Sequence, residues 1–199
     1  MIHCIGDSHA SFFSGKNQMQ PIYPTPSDDI LPYFKSYRIG PATAYQLENK
    51  RMILNHIIHH NYTDSDSIMF VFGEVDCRLH LGKHNNINEC VERYMNVVVS
   101  FKEYKPIVYG AIASGPDHLV VEETPYVGTC LERNDRTNKF NELLKLKCDE
   151  QNIPVLNIFK NMLLDDGNTD DSYLIDHVHV SQKLMPIVVR KLKDMGVIL

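Results

Sequence analysis

Long apolar runs are missing from this chain: the longest extend only a few residues, far short of the roughly 20 that a membrane-spanning helix needs. Clusters of lysine and arginine are missing too, and the net charge is −5. Nucleic acid, which is held through a basic surface, is therefore not expected as the ligand. The five cysteines (Cys4, Cys77, Cys90, Cys130 and Cys148) are odd in number, widely spaced and form no C-x-x-C pair. That pattern predicts reduced thiols in a cytosolic, cytoplasmic setting and not a disulfide framework. No secretory leader is expected either, because the first strand begins at residue 2. No repeat and no linker divides the sequence.

What is present is ordinary for a globular protein: 199 residues, 43% apolar and 23% charged. This is enough chain for one domain over 1–199 with a sheet covered on both faces. Short apolar runs alternate with helical patterns. Strands are predicted over 2–5, 34–39, 67–72, 107–113 and 155–159, the third being a continuous Ile-Met-Phe-Val-Phe run closed by Gly73. Helices are predicted over 9–13, 42–60, 87–104, 135–151 and 182–194, the last capped by Ser181. Two proline- and glycine-bearing stretches, 14–33 and 114–134, read as long surface loops and are the expected seat of substrate selection. Strand–helix alternation of this kind predicts a three-layer α/β sandwich around a mainly parallel, five-stranded sheet. Its right-handed crossovers require the sheet to wind both ways from the first strand.

Chemistry concentrates at the two ends. Gly6-Asp7-Ser8-His9 follows the first strand, so Ser8 lies at the carboxyl edge of the sheet, where α/β proteins bind ligands. A serine hydroxyl needs a base, and a histidine base needs a carboxylate to hold its tautomer. Asp176-His177-Val178-His179 supplies both within a single turn, Asp176 and His179 being three residues apart. Ser8 read by itself is equally a helix cap.

Gly6-Asp7-Ser8-His9 resembles the first block of the SGNH (GDSL-like) hydrolase superfamily, and Asp176-x-x-His179 resembles its last. Gly40 occupies the place of the family's oxyanion glycine, and Phe72-Gly73-Glu74-Val75-Asp76 stands where the family carries G-x-N-D. These blocks span nearly the whole chain. The resemblance implies a flavodoxin-like SGNH hydrolase fold, with Ser8 as nucleophile, His179 as base and Asp176 as its partner. It also implies an acyl-serine intermediate and no cofactor or metal. The expected reaction is hydrolysis of small O-acyl esters, acetyl foremost, on a small molecule or a glycan. With an acceptor alcohol the same machinery becomes an O-acyltransferase.

The third block departs from the family. Val75 replaces the asparagine that donates to the oxyanion, and loss of one such donor costs about 2.7–4 kcal/mol in comparable sites. Arg78 is the candidate replacement, oriented by Glu74 or Asp76, so Asp7, Gly40, Glu74 and Arg78 are the residues expected around the oxyanion and substrate. Two other readings stay open. Asp7-x-His9, Gly73-Glu74 with Arg78, and His177-x-His179 also resemble dinuclear metallophosphoesterases. Against this, a Gly-Asn-His-Glu block is missing and the second carboxylate is out of step by one residue. A catalytically weak module that binds an acylated glycan or a protein would also tolerate Val75. His80 and His84 could line the site mouth, whereas His56, His59 and His60 read as a solvated helix face and 165–170 as a turn.

Overall fold

The computed structural model describes residues 1–122 and 125–198. Its centre is a five-stranded, wholly parallel sheet in the order β2-β1-β3-β4-β5, formed by β1 (Ile2–Gly6), β2 (Phe34–Arg38), β3 (Ser67–Val71), β4 (Pro106–Tyr109) and β5 (Val155–Leu156). Registers are Cys4 beside Ser36 and Met69, then Phe70 beside Val108. The chain leaves β1 towards β2, returns past β1 to β3, and continues outward. The point where this order reverses lies between β1 and β3.

Strands buried on both faces need apolar side chains at every position, and β3 shows it. Ile68 and Phe70 enter one core, Met69 and Val71 the other. The first core is closed by α1 (Arg51–Asn61), α3 (Ile87–Ser100) and α4 (Cys130–Glu150), through residues such as Leu54, Val91, Tyr94, Phe140 and Leu144. The second is closed by the 3-10 turn Ser8–Ser14 and by α5 (Met185–Asp194), through Phe12, Phe13, Val188 and Leu192. A right-handed crossover to the left of β1 lands on one face and those to its right land on the other, which accounts for the division. Among the described residues no helix is long and apolar enough to cross a membrane.

Several boundaries differ from those predicted. Residues 47–50 form a 3-10 turn before α1, and α4 starts at Cys130, five residues earlier than periodicity suggested. Thr129 and Glu132 form a capping box there, a signal independent of the apolar pattern. β4 and β5 are shorter than expected. The third block winds into a π turn, Asp76–His80, that runs on into α2 (Leu81–His84). The second predicted loop, 114–134, includes Glu123 and Thr124, which lie outside the described residues.

Because all strands are parallel, every segment that follows a strand gathers at one edge. β1 ends there on Gly6, where a Cβ would overlap the carbonyl oxygen of Val71 on β3. Glycine is thus required for the strands to close beside the site. Gly6→Ala should lose about 1–3 kcal/mol of stability, read as a lower urea midpoint at unchanged m value.

Candidate active site

Asp7 follows β1 and caps the next turn, its Oδ1 accepting the His9 N–H at 2.9 Å. Ser8 is the first residue of that turn, where backbone donors have no partner within the helix. Its Oγ lies 2.9 Å from His179 Nε2, and His179 Nδ1 lies 2.7 Å from Asp176 Oδ2. The other Asp176 oxygen accepts the backbone N–H groups of Val178 and His179 at 2.8 and 2.7 Å, so one carboxylate folds the loop and aims the ring. Burial works against charge on Asp176, but these bonds outweigh it and hold its pKa well below the usual carboxylate range. The Asp176 side chain is 36% exposed, so solvent screens part of this effect. The His179 pKa is lowered, chiefly by burial, with Asp176 opposing. With Nδ1–H donating to the Asp176 carboxylate, Nε2 of a neutral ring is left to accept from the Ser8 hydroxyl.

The third block sits directly beneath. Glu74 and Arg78 are an i,i+4 pair and both are buried, with Arg78 Nε donating to Glu74 Oε1 at 2.8 Å. Glu74 Oε2 stands 3.2 Å from His9 Nε2. Asp7, His9, Glu74 and Arg78 therefore form a buried quartet of two carboxylates and two bases. Burial pushes Asp7 up to about 6. It also opposes charge on His9 and Glu74, yet the Asp7 and Glu74 carboxylates raise the His9 pKa, while His9 and Arg78 hold Glu74 below its ordinary value.

Geometry corrects the expected role of Arg78. Its second bond, from Nη1, goes to the Pro125 carbonyl at 2.8 Å, and its guanidinium packs over the Tyr126 ring at 5.1 Å. It is not among the residues lining the cleft at Ser8, so it is a buried brace and not a third oxyanion donor. Glu74 orients it, whereas Asp76 does not. Asp76 instead accepts the backbone N–H groups of Ala44 and Tyr45 at 2.7 and 3.2 Å and so holds the segment that follows Gly40.

The cleft beside Ser8 encloses about 450 Å³. Arg38, Gly40, Thr43, Gln46, Val75 and His80 are among its walls. Gly40 has φ +81°, a conformation glycine adopts freely, and presents its backbone to this space. Besides Asp7 and Ser8 these walls come from 38–46 and 75–80, and among the described residues neither long loop, 14–33 or 114–134, lines the cleft, contrary to expectation. Loop 14–33 supports Arg38 from behind, the Gln20 carbonyl accepting its Nη1 at 2.9 Å. Loop 114–134 clamps the Asp176–His179 turn: Tyr126 donates its hydroxyl to the His177 carbonyl at 2.6 Å, and its ring packs against the guanidiniums of both Arg78 and Arg133. Arg38, Gln46, Tyr126 and Arg133 were not singled out from the sequence. Only Arg38, a charge two residues before Gly40, carried a local signal.

His80 does reach the cleft, and His84 lines an adjoining cavity of about 300 Å³. His56 and His60 pack ring to ring at 4.1 Å on α1, away from Ser8. The acidic stretch 165–170 is a turn around Gly167. Among the described residues, no group of three or more His, Cys, Asp or Glu side chains is placed to hold a metal ion.

No family model matches the chain, and no curated protein matches it. Solved structures do. The chain is similar to an acetyl xylan esterase (TM-score 0.60, 15% identity, 98% of this chain and 99% of that one). It is similar to an aryl esterase of M. smegmatis (TM-score 0.62, 12% identity, 100% and 99%). It is also similar to a GDSL-like lipase from Bacteroides thetaiotaomicron (TM-score 0.59, 13% identity, 98% and 88%). At these identities the likeness is one of fold, and the fold is that of the SGNH (GDSL-like) hydrolases.

Removing one partner of a buried ion pair strands the other charge. Arg78→Met should cost about 3–5 kcal/mol in urea unfolding. Glu74, whose folded pKa is lowered, contributes stability above its unfolded pKa and loses it as pH falls through the folded value. The variant's stability should consequently fall less on acidification than that of the wild type.

Proposed function

We propose that this chain, having the fold of the GDSL-like hydrolases, is a serine esterase acting on small O-acyl esters of polar alcohols. The observation that carries the reading is the continuous relay from Ser8 through His179 to Asp176, with contacts of 2.9 and 2.7 Å. A bare fold likeness would not require that relay, and neither would a module that only binds.

Ser8 Oγ attacks the ester carbonyl carbon while its proton passes to His179 Nε2. The tetrahedral oxyanion is met by the Ser8 and Gly40 N–H groups. Collapse breaks the carbon–oxygen bond to the alcohol, which leaves with the proton from His179. Water then gives a proton to the same imidazole and adds to the acyl carbonyl; collapse breaks the bond to Ser8 Oγ, which takes the proton back from His179 as the carboxylic acid leaves. Asp176 stabilises the transient imidazolium throughout and is not itself protonated. With Val75 apolar, two donors serve the oxyanion, which favours esters with good leaving groups over amides.

A cleft walled by Arg38, Thr43, Gln46 and His80 favours a polar alcohol such as a sugar hydroxyl, and a short acyl group such as acetyl, over a lipid chain. The similar acetyl xylan esterase agrees with this choice. The five described cysteines are free and buried, in keeping with a cytosolic location. The dinuclear-metal reading has lost its ligand set: His9 is turned onto Glu74, and the Arg78 cation occupies the other side of that carboxylate.

A fluorophosphonate probe should label Ser8, located by peptide mass spectrometry, and Ser8→Ala should abolish both labelling and EDTA-insensitive hydrolysis of p-nitrophenyl acetate. Labelling elsewhere, or full activity in Ser8→Ala, would remove the proposal. kcat/KM should rise with pH and level off, because His179 must be neutral to act. The rise should be centred below the ordinary histidine value of 6.5, since burial lowers the His179 pKa. Asp7, pushed up to about 6, titrates in the same range, so the limb belongs to the cluster and not to one residue.

A further inference from the structure

The proposed reaction gives no task to His9, yet His9 touches the base itself. Its ring centroid lies 5.2 Å from that of His179, with the planes inclined at 43°. It cannot swing away. Its side chain is 5% exposed, its backbone N–H is tied to Asp7, and its Nε2 faces Glu74 Oε2 at 3.2 Å. Glu74 is fixed in turn by Arg78, and Arg78 by the Pro125 carbonyl. Glu74 and Arg78 of the variant third block thus hold the ring that backs His179.

We infer that His9 is a positioning residue for the catalytic base: clamped by Glu74 and Arg78, it backs the His179 ring, and its protonation opposes that of His179. The inference rests on the serine-hydrolase reading and deepens it.

Two imidazolium rings in contact in a buried site repel, so a proton on His9 disfavours one on His179. The groups facing His9 decide which ring holds it. Asp7, just after β1, and Glu74 from the third block favour charge on His9, while Arg78 opposes it. Tyr109 of β4 lines the small space beside Asp7 and His9, and burial keeps its phenol neutral. On the other side, His179 faces Ser8, Asp176, His9 and Glu74, with burial and His9 disfavouring its charge and the two carboxylates favouring it. Charge on His9 also completes a neutral quartet, two carboxylates against two cations, so no net charge is left buried. The resting enzyme then keeps its proton on the ring that does no chemistry, and His179 stays free to take one from Ser8.

The test is an NMR titration of the His179 ring in the wild type, in His9→Gln and in His9→Phe. Glutamine retains a donor for Glu74 without a titrating charge, and phenylalanine retains the ring contact. Both variants should raise the His179 midpoint by about one pH unit, the size expected of neighbouring charges. The acid limb of kcat/KM for p-nitrophenyl acetate should move up with it. A purely structural His9 would lower kcat evenly across pH and leave the midpoint where it was; that result, in His9→Gln alone if His9→Phe does not fold, overturns the inference. Because the titration needs no substrate, absence of esterase activity would sink the functional reading while leaving this coupling separately decided.

Discussion

The bond between Ser8 and His179 joins residues 171 positions apart, and nearly every other feature of the molecule serves to make it. β1 brings the serine to the sheet's carboxyl edge at the reversal between β1 and β3. The histidine arrives only after the whole sheet has been laid down, on a turn folded around Asp176. Closing so long a loop costs entropy, which burial in the sheet and its two cores offsets. Apolar packing on both faces is therefore a precondition of the chemistry.

Second to that bond stands the burial of four ionisable side chains under it. Asp7, His9, Glu74 and Arg78 are all at most 7% exposed, an arrangement that is costly unless charges balance and bonds are made. Here each charge has an opposite neighbour. Val75 of the third block is an apolar wall of the cleft at Ser8, and the Glu74–Arg78 pair beside it is salt-bridged and buried. These buried groups support the His179 ring and its loop, through Glu74 and His9 on one side and Arg78 and Tyr126 on the other.

The fold was largely legible in the residues. Continuous apolar runs such as 67–72 mark doubly buried strands, and the strand–helix rhythm with right-handed crossovers leaves few arrangements of a parallel sheet. Errors fell at element ends. The capping box at Thr129–Glu132 starts α4 ahead of its apolar pattern, and β5 is shortened to Val155–Leu156 because the chain turns into the Phe159–Met162 3-10 helix soon after. In the third block a local reading failed for a definite reason. An i,i+4 Glu–Arg pair can face solvent or core equally well, and only the packing of α4 and loop 114–134 against it decides.

By itself, then, the sequence determined which groups can react and roughly where: a serine after the first strand, an aspartate and histidine one turn apart near the end, a glycine after the second. Those assignments depend on local chemistry and spacing, which a linear string carries in full. Tertiary structure alone decided that Arg78 is enclosed and committed to Glu74 and Pro125, that Asp76 holds the Gly40 segment, that Tyr126 pins the Asp176–His179 turn, and that His9 lies against His179. Each of these is set by which distant surfaces come together. A side chain's partners are then chosen by burial and electrostatic balance, and no residue's immediate neighbours in the chain contain that information.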